Sequence, residues 1–297
     1  MDQVLQINDL SKSFGRIKAV DGISITINKG EIYGILGPNG SGKTTTLGML
    51  LDVIKPDQGS FTWFGKPPSK EARMRIGSIL EVPLFYPYLS GEKNLQIIAK
   101  IKKQNYDKID EVLEMVGLTE RKHSRFRTYS LGMKQRLAIA ASLLGDPEAL
   151  ILDEPTNGLD PKGIAEIRDL IIRIGKSGIT IILASHILDE VQKICSHVAV
   201  LNKGKILYSG GVKDVLSDSS WVEVAGKNMQ GVKLGLENCE FVASVKEEDD
   251  KYLVQLKEGK NPGELNEWLA SKKIFIDHLS VRRKTLENYF LELLKGS

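Results

Sequence analysis

The stretch Gly37-Pro38-Asn39-Gly40-Ser41-Gly42-Lys43-Thr44 constrains this chain more than any other. It matches the pattern Gly-x4-Gly-Lys-Ser/Thr at every fixed position. Before it runs Glu31-Ile32-Tyr33-Gly34-Ile35-Leu36, which reads as a short buried strand, and after it a helix is expected from 42 to about 53. Strand, glycine loop and helix in that order give the motif its meaning. The glycines let successive backbone N–H groups turn inward around a polyphosphate, and the helix adds its positive end. Lys43 can reach the β- and γ-phosphates, the Thr44 hydroxyl suits Mg²⁺, and Thr45 lies close enough to serve the α-phosphate.

Ala149-Leu150-Ile151-Leu152-Asp153-Glu154 supplies the second half of such a site. Four apolar residues make a buried strand, and the two carboxylates emerge at its carboxyl end, the edge where open parallel sheets bind ligands. Asp153 is the natural Mg²⁺ partner, directly or through water. Successive strand residues point to opposite faces, so Glu154 is aimed elsewhere and can take a proton from an attacking water. A guanine-reading motif needs Asn-Lys-x-Asp. The chain offers Asn202-Lys203-Gly204-Lys205, without the aspartate, so an adenine nucleotide is expected.

The surrounding pattern agrees with a mainly parallel sheet covered by helices on both faces. Val4, Leu5, Ile7 and then Ile23, Ile25, Ile27 alternate as strands, and 59–64 reads as another. Helix patterns dominate 84–144. Further strands are expected at 179–184, 198–201 and 205–209, with helices at 163–176 and 187–195. Beyond residue 215 the texture changes to short strands at 221–224, 241–245, 252–256 and 274–279, with helices at 261–271 and 284–294. This second region reads as a separate small α+β domain, 216–297. In its last helix Leu286, Tyr289, Phe290 and Leu293 share one face, which reads as core packing.

Composition sets outer limits. With 297 residues, 41% hydrophobic and 27% charged, the chain can bury a sizeable core and is no disordered tail or disulfide scaffold. Cys195 and Cys239 have no metal-ligand spacing. A net charge of +3, from 41 basic and 38 acidic residues, is too balanced to argue for nucleic acid. No apolar run approaches the ~20 residues of a spanning helix. No basic-then-apolar leader opens the sequence, so a membrane role is expected only through a partner.

Taken together, the motifs over residues 3–215 closely resemble the ATP-binding subunit of an ABC (ATP-binding cassette) transporter, in that family's order. The resemblance implies a phosphate-loop NTPase (RecA-like) α/β fold over 1–215. An antiparallel β subdomain and a helical subdomain at about 84–146 would accompany the mainly parallel sheet. Tyr129-Ser130-Leu131-Gly132-Met133 resembles the family signature and departs from it at Tyr129, Leu131 and Met133, keeping Ser130 and Gly132. Thr156-Asn157-Gly158-Leu159-Asp160 resembles the loop that crosses the dimer interface, His186 stands where the family keeps its switch histidine, and Phe14 matches the aromatic that stacks on adenine. Phe85-Tyr86-Pro87-Tyr88-Leu89-Ser90 lies where the family receives a short helix of the membrane subunit. The closing helix resembles that of drug- and antibiotic-exporting cassettes.

By this resemblance two copies bind head to tail, each ATP lying between one phosphate loop and the other copy's Ser130 and Gly132. Glu154 would be the general base, with His186 and Glu81 positioning water and phosphate. Mg²⁺ would be held by Thr44, Asp153 and Glu81. The partners implied are a second copy and integral membrane permease subunits, which would hold the chain at the inner face of the cell membrane. Two other readings differ in class: a soluble ABC-type ATPase acting on ribosomes or DNA, and an ATP-gated regulatory module without turnover. Glu81 replaces the family's usual glutamine and brings a negative charge beside the γ-phosphate, an arrangement that is costly unless metal is bound. Glu81→Gln should therefore flatten the dependence of ATPase activity on free Mg²⁺. An unchanged Mg²⁺ titration would refute that role.

Overall fold

The computed structural model describes residues 2–80, 84–217, 221–282 and 285–295. Glu81 lies outside the described residues. The chain divides into two compact units, Met1–Gly211 and Val212–Ser297, against the sequence expectation of a boundary at 215.

The first unit opens with β1 (Gln3–Phe14) and β2 (Ile17–Asn28). Next, β3 (Ile32–Leu36) runs through the glycine loop into α1 (Lys43–Leu50). Then come β4 (Gln58–Trp63), α2 (Lys70–Met74) and β5 (Ile76–Ile79). Three helices follow: α3 (Gly91–Lys102), α4 (Asp107–Met115) and α5 (Leu131–Leu143). The remainder alternates β6 (Ala149–Asp153), α6 (Pro161–Lys176), β7 (Thr180–Ser185) and α7 (Leu188–Ile194), closing with β8 (His197–Asn202) and β9 (Lys205–Gly211).

Six strands form the central sheet in the order β5-β6-β7-β3-β8-β9, parallel except for β9. Every residue of β6 and β7 is buried, which is why both read as unbroken apolar runs and not as alternations. The antiparallel sheet β2-β1-β4 packs its alternating side chains, among them Leu5, Ile7, Ile25 and Ile27, into one core with Ile35 of β3 and Leu47 of α1. Trp63, at the end of β4, is fully buried there, and its indole N–H donates to Leu50 O at 2.9 Å, joining the two layers.

In the helical region the chain stays irregular over 84–90, where helix was expected, and α3 starts only after Ser90. Ser90 caps the helix, accepting from Lys93 N. Asn94, buried, holds the preceding loop: its amide oxygen accepts from Tyr86 N at 2.8 Å and its amide nitrogen donates to Tyr86 O and Ser90 O. Tyr129 is buried and donates to Arg121 O at 2.7 Å, so its departure from the family signature has a packing reason. At the far end of α5, Lys102 donates to the carbonyls of Ala141, Ser142 and Leu144.

The second unit begins with α8 (Val212–Ser217). It continues as β10 (Trp221–Ala225), α9 (Met229–Glu237), β11 (Val242–Glu248), β12 (Lys251–Leu256), α10 (Pro262–Ser271), β13 (His278–Arg282) and α11 (Leu286–Lys295). Its sheet, β11-β12-β10-β13, is antiparallel throughout. From β10 to β13 the order βαββαβ is the ferredoxin-like arrangement. Helix α9, capped by Asn228, was not expected. The strand expected at 274–279 starts only at His278. Lys273 takes a left-handed φ of 60°, and Ile274 and Ile276, whose alternation suggested the strand, pack from a loop onto the unit's core. Leu286 is buried, in line with core packing for that helix face.

The packing of α5 on β5 is tight enough to test. A Cβ placed on Gly77 would run into Ser142 O and approach Leu150 Cδ2 at 2.5 Å. Gly77→Ala should lower the urea midpoint of unfolding, at a cost of about 1–3 kcal/mol for the overpacked contact. A midpoint equal to that of the parent chain would contradict this packing.

Candidate functional site

Parallel register brings three loops to one edge of the central sheet. Leu36 of β3 pairs with Ser185 of β7, and Asp153 of β6 pairs with Ala184, so the loops after all three strands leave together. This is the carboxyl edge, where ligands of open α/β sheets bind.

The first loop wraps 37–42 around the start of α1. Gly42 has a φ of 107°, and a Cβ there would strike Ala19 O; a Cβ at Gly37 would strike Leu201 O and Ser41 Oγ. Only glycine lets the loop pass so close to its neighbours. Lys43, buried, folds back over this loop and donates to Gly37 O at 2.8 Å and Pro38 O at 3.3 Å. The Ser41 hydroxyl is buried and has no hydrogen-bond partner among the described residues.

The second loop carries the carboxylates, aimed apart as the strand geometry requires. Thr44 Oγ1 donates to Asp153 Oδ2 at 2.8 Å, while Glu154 turns away from the strand with a left-handed φ of 47°. Its N–H still donates to Ala184 O at 2.9 Å. One carboxylate oxygen of Glu154 lies 3.5 Å from Lys43 Nζ, and the other lies 2.8 Å from His186 Nδ1. His186 comes from the third loop, directly after β7. Its backbone N–H points to the same Glu154 oxygen at 3.4 Å.

These groups adjoin a cavity of about 490 Å³. Asn39, Gly40, Gly42, Lys43, Thr44, Thr45 and Glu154 line it, as do four residues that the sequence reading did not single out for this site: Ile17, Lys18, Ala19 and Lys203. The first three belong to β2, and Lys203 to the β8–β9 turn. They could not be found from motifs, because only the docking of the antiparallel layer and the hairpin turn brings them here.

Phe14, Ser130, Gly132 and Asp160, all expected to meet nucleotide, do not line this cavity. Phe14 is 50% exposed at the end of β1 beneath the Lys12 ammonium and does not line the cavity. Ser130 caps α5 by accepting from Met133 N at 3.2 Å, and Gly132 follows in its first turn; neither lines the cavity. Asp160 caps α6, accepting from Gly163 N at 3.0 Å. Arg136 packs in a separate cleft of about 690 Å³, where its guanidinium lies 3.6 Å from Glu166.

The donor set suits a nucleoside triphosphate with a hard cation. Hydroxyl and carboxylate oxygens of Thr44 and Asp153, loop amides and one ammonium meet at this edge, and the same loop carries the buried Ser41 hydroxyl, unpartnered among the described residues. Among the described residues no group of three His, Cys, Asp or Glu could hold a metal alone. Mg²⁺ is bound in that manner, through one or two protein oxygens together with substrate phosphates.

Known proteins resemble this chain in sequence and in fold. The ABC transporter family model matches residues 20–157. The bacitracin transport ATP-binding protein BcrA of Bacillus licheniformis is 40% identical over a 304-residue alignment covering 100% of this chain and 99% of that protein. An uncharacterized ABC transporter ATP-binding protein of Bacillus subtilis (strain 168), YhcH, is 47% identical over 72% of each chain. Among solved structures, cbiO1 from Clostridium perfringens, part of the ABC transporter complex cbiONQ, superposes with a TM-score of 0.67 at 31% identity, over 80% of this chain and 96% of that one. The chain has the phosphate-loop NTPase fold and belongs to the ATP-binding proteins of ABC transporters.

Proposed function

We propose that this chain is a Mg²⁺-dependent ATPase subunit that dimerises head to tail on ATP and powers export through separate membrane subunits. The observation that carries this reading is the convergence of Lys43, Thr44, Asp153, Glu154 and His186 at one sheet edge beside one cavity.

In this reading Lys43 and the loop amides of 39–44 hold the β- and γ-phosphates, and the Ser41 hydroxyl gains a phosphate oxygen as partner. Thr44 and Asp153 would hold Mg²⁺, which when bound would supply neutralising charge to the phosphates. Glu154 accepts the proton of the water that attacks the γ-phosphorus, and ADP leaves as the γ-phosphoryl group goes to that water. His186 fixes the Glu154 carboxylate and places its ring toward the same phosphate. Catalysis here is positioning and charge stabilisation, without a covalent intermediate. Glu81 joins Mg²⁺ and the attacking water in this proposal on sequence position alone.

Ser130, Gly132 and Asp160 act across the dimer. Their places at the starts of α5 and α6 support this: each start presents backbone N–H groups, and Ser130 is exposed. The γ-phosphate then favours the closed dimer, and its loss favours opening, a population shift driven by differential contact with ATP and ADP. Phe14 stacks on adenine from its exposed position at the cassette's edge.

No helix among the described residues is long and apolar enough to cross a membrane; in this reading the chain works with separate membrane subunits. Their docking place is the loop 84–90, where Leu84, Tyr86 and Tyr88 are 94%, 50% and 64% exposed on a backbone held by Asn94. Exposed aromatics on a fixed backbone make effective anchors. The chain would thus lie at the cytoplasmic face of the membrane. BcrA, named for bacitracin transport, is similar along the whole chain, and so we infer an antibiotic-peptide substrate class.

The test is the solution mass of Glu154→Gln in Mg·ATP and in Mg·ADP. A dimer in ATP alone is expected, because binding remains and proton removal stops. A monomer in both would contradict self-association on ATP.

A further inference from the structure

The Asn202-Lys203-Gly204-Lys205 stretch lacks the aspartate of a guanine reader, yet Lys203 lines the nucleotide cavity. We propose that Lys203 is a binding residue for the phosphate chain of the nucleotide, acting alongside the phosphate loop.

Three observations support this. The β8–β9 connection is a two-residue loop, Lys203-Gly204, and both residues have positive φ, 46° and 81°. Such hairpin loops favour Asn-Gly or Gly-Gly, so lysine occupies a position that its backbone does not favour. A non-glycine residue held in the left-handed region beside a ligand cavity points to function.

The turn is also locked to the phosphate loop. Gly204 N donates to Ser41 O at 3.0 Å, and Gly204 O accepts from Asp21 N at 2.8 Å. A Cβ on Gly204 would lie 2.9 Å from Ala19 O. The backbone carrying Lys203 is therefore fixed to the same loop that surrounds the phosphates.

Lastly, the lysines around this turn are not equivalent. Lys18 and Lys205 both pair with Asp21, at 2.5 Å and 3.5 Å, whereas Lys203 makes no ion pair among the described residues. Lys203 is an exposed residue of the cavity lining, and no carboxylate among the described residues compensates its charge. Phosphate oxygens are the anions that this cavity would receive, and a charge-assisted contact with them follows.

The inference rests on the cavity being the nucleotide site, and the experiment separates the two. Mg·ADP is titrated calorimetrically into the full chain, into Lys203→Asn, Lys203→Arg and Lys43→Ala. Lys203→Asn should bind about five- to tenfold more weakly at low ionic strength, as for one partly exposed ionic contact. The difference should shrink in about 0.5 M salt. Its thermal midpoint should equal or exceed that of the parent, since asparagine suits the left-handed position. Lys203→Arg should stay within about twofold of the parent. Lys203→Asn binding within about twofold of the parent at low salt, or an equal loss in Lys203→Arg, would overturn the inference. If Lys43→Ala also bound like the parent, the nucleotide reading of the cavity would itself fail.

Discussion

The hydrogen bond from Thr44 to Asp153 is the contact on which the arrangement depends. It joins the helix that follows the glycine loop to the end of β6, two strands away in the sheet. Strand β7 lies between them and carries His186 at its end. Because all three strands are parallel and end in register, a hydroxyl, two carboxylates, an ammonium and an imidazole reach one place without any long loop. Moving any one strand by a single residue would reverse its inward and outward side chains and remove its contribution.

Two of the non-glycine residues around the cavity hold left-handed backbone conformations. Glu154 and Lys203 are both non-glycine residues with left-handed φ, and both line the cavity. Each is held by backbone contacts to neighbouring elements, Glu154 by Ala184 O and the Lys203 turn by Ser41 O and Asp21 N. A conformation that costs about 1–3 kcal/mol persists when its surroundings fix it, and such positions gather at functional sites.

Much of this was legible in the sequence, for identifiable reasons. The glycine loop is local, and its strand and helix flank it directly. The unbroken apolar run of β6 marks a strand buried on both faces, and its terminal acids mark the open edge. What was not legible depends on distant packing. Ile17, Lys18 and Ala19 join the cavity through docking of the hairpin layer, and no spacing rule announces that. Asp160 and Ser130 carry their capping roles in addition to any contact across a dimer, because the same residue types serve both purposes. The alternation of Ile274 and Ile276 suggested a strand, while tertiary packing onto the core of the second unit placed them in a loop. The ferredoxin-like order of that unit emerged only from its strand pairing, and this arrangement serves many unrelated functions.

In the proposed reading the loops at this sheet edge form one nucleotide-binding surface. Amide hydrogen exchange of the whole chain, measured with and without Mg·ADP, decides whether they do. Exchange should slow across 38–45 and at the 202–204 turn, with 221–282 unchanged. Unchanged exchange across 38–45 under saturating Mg·ADP would contradict it.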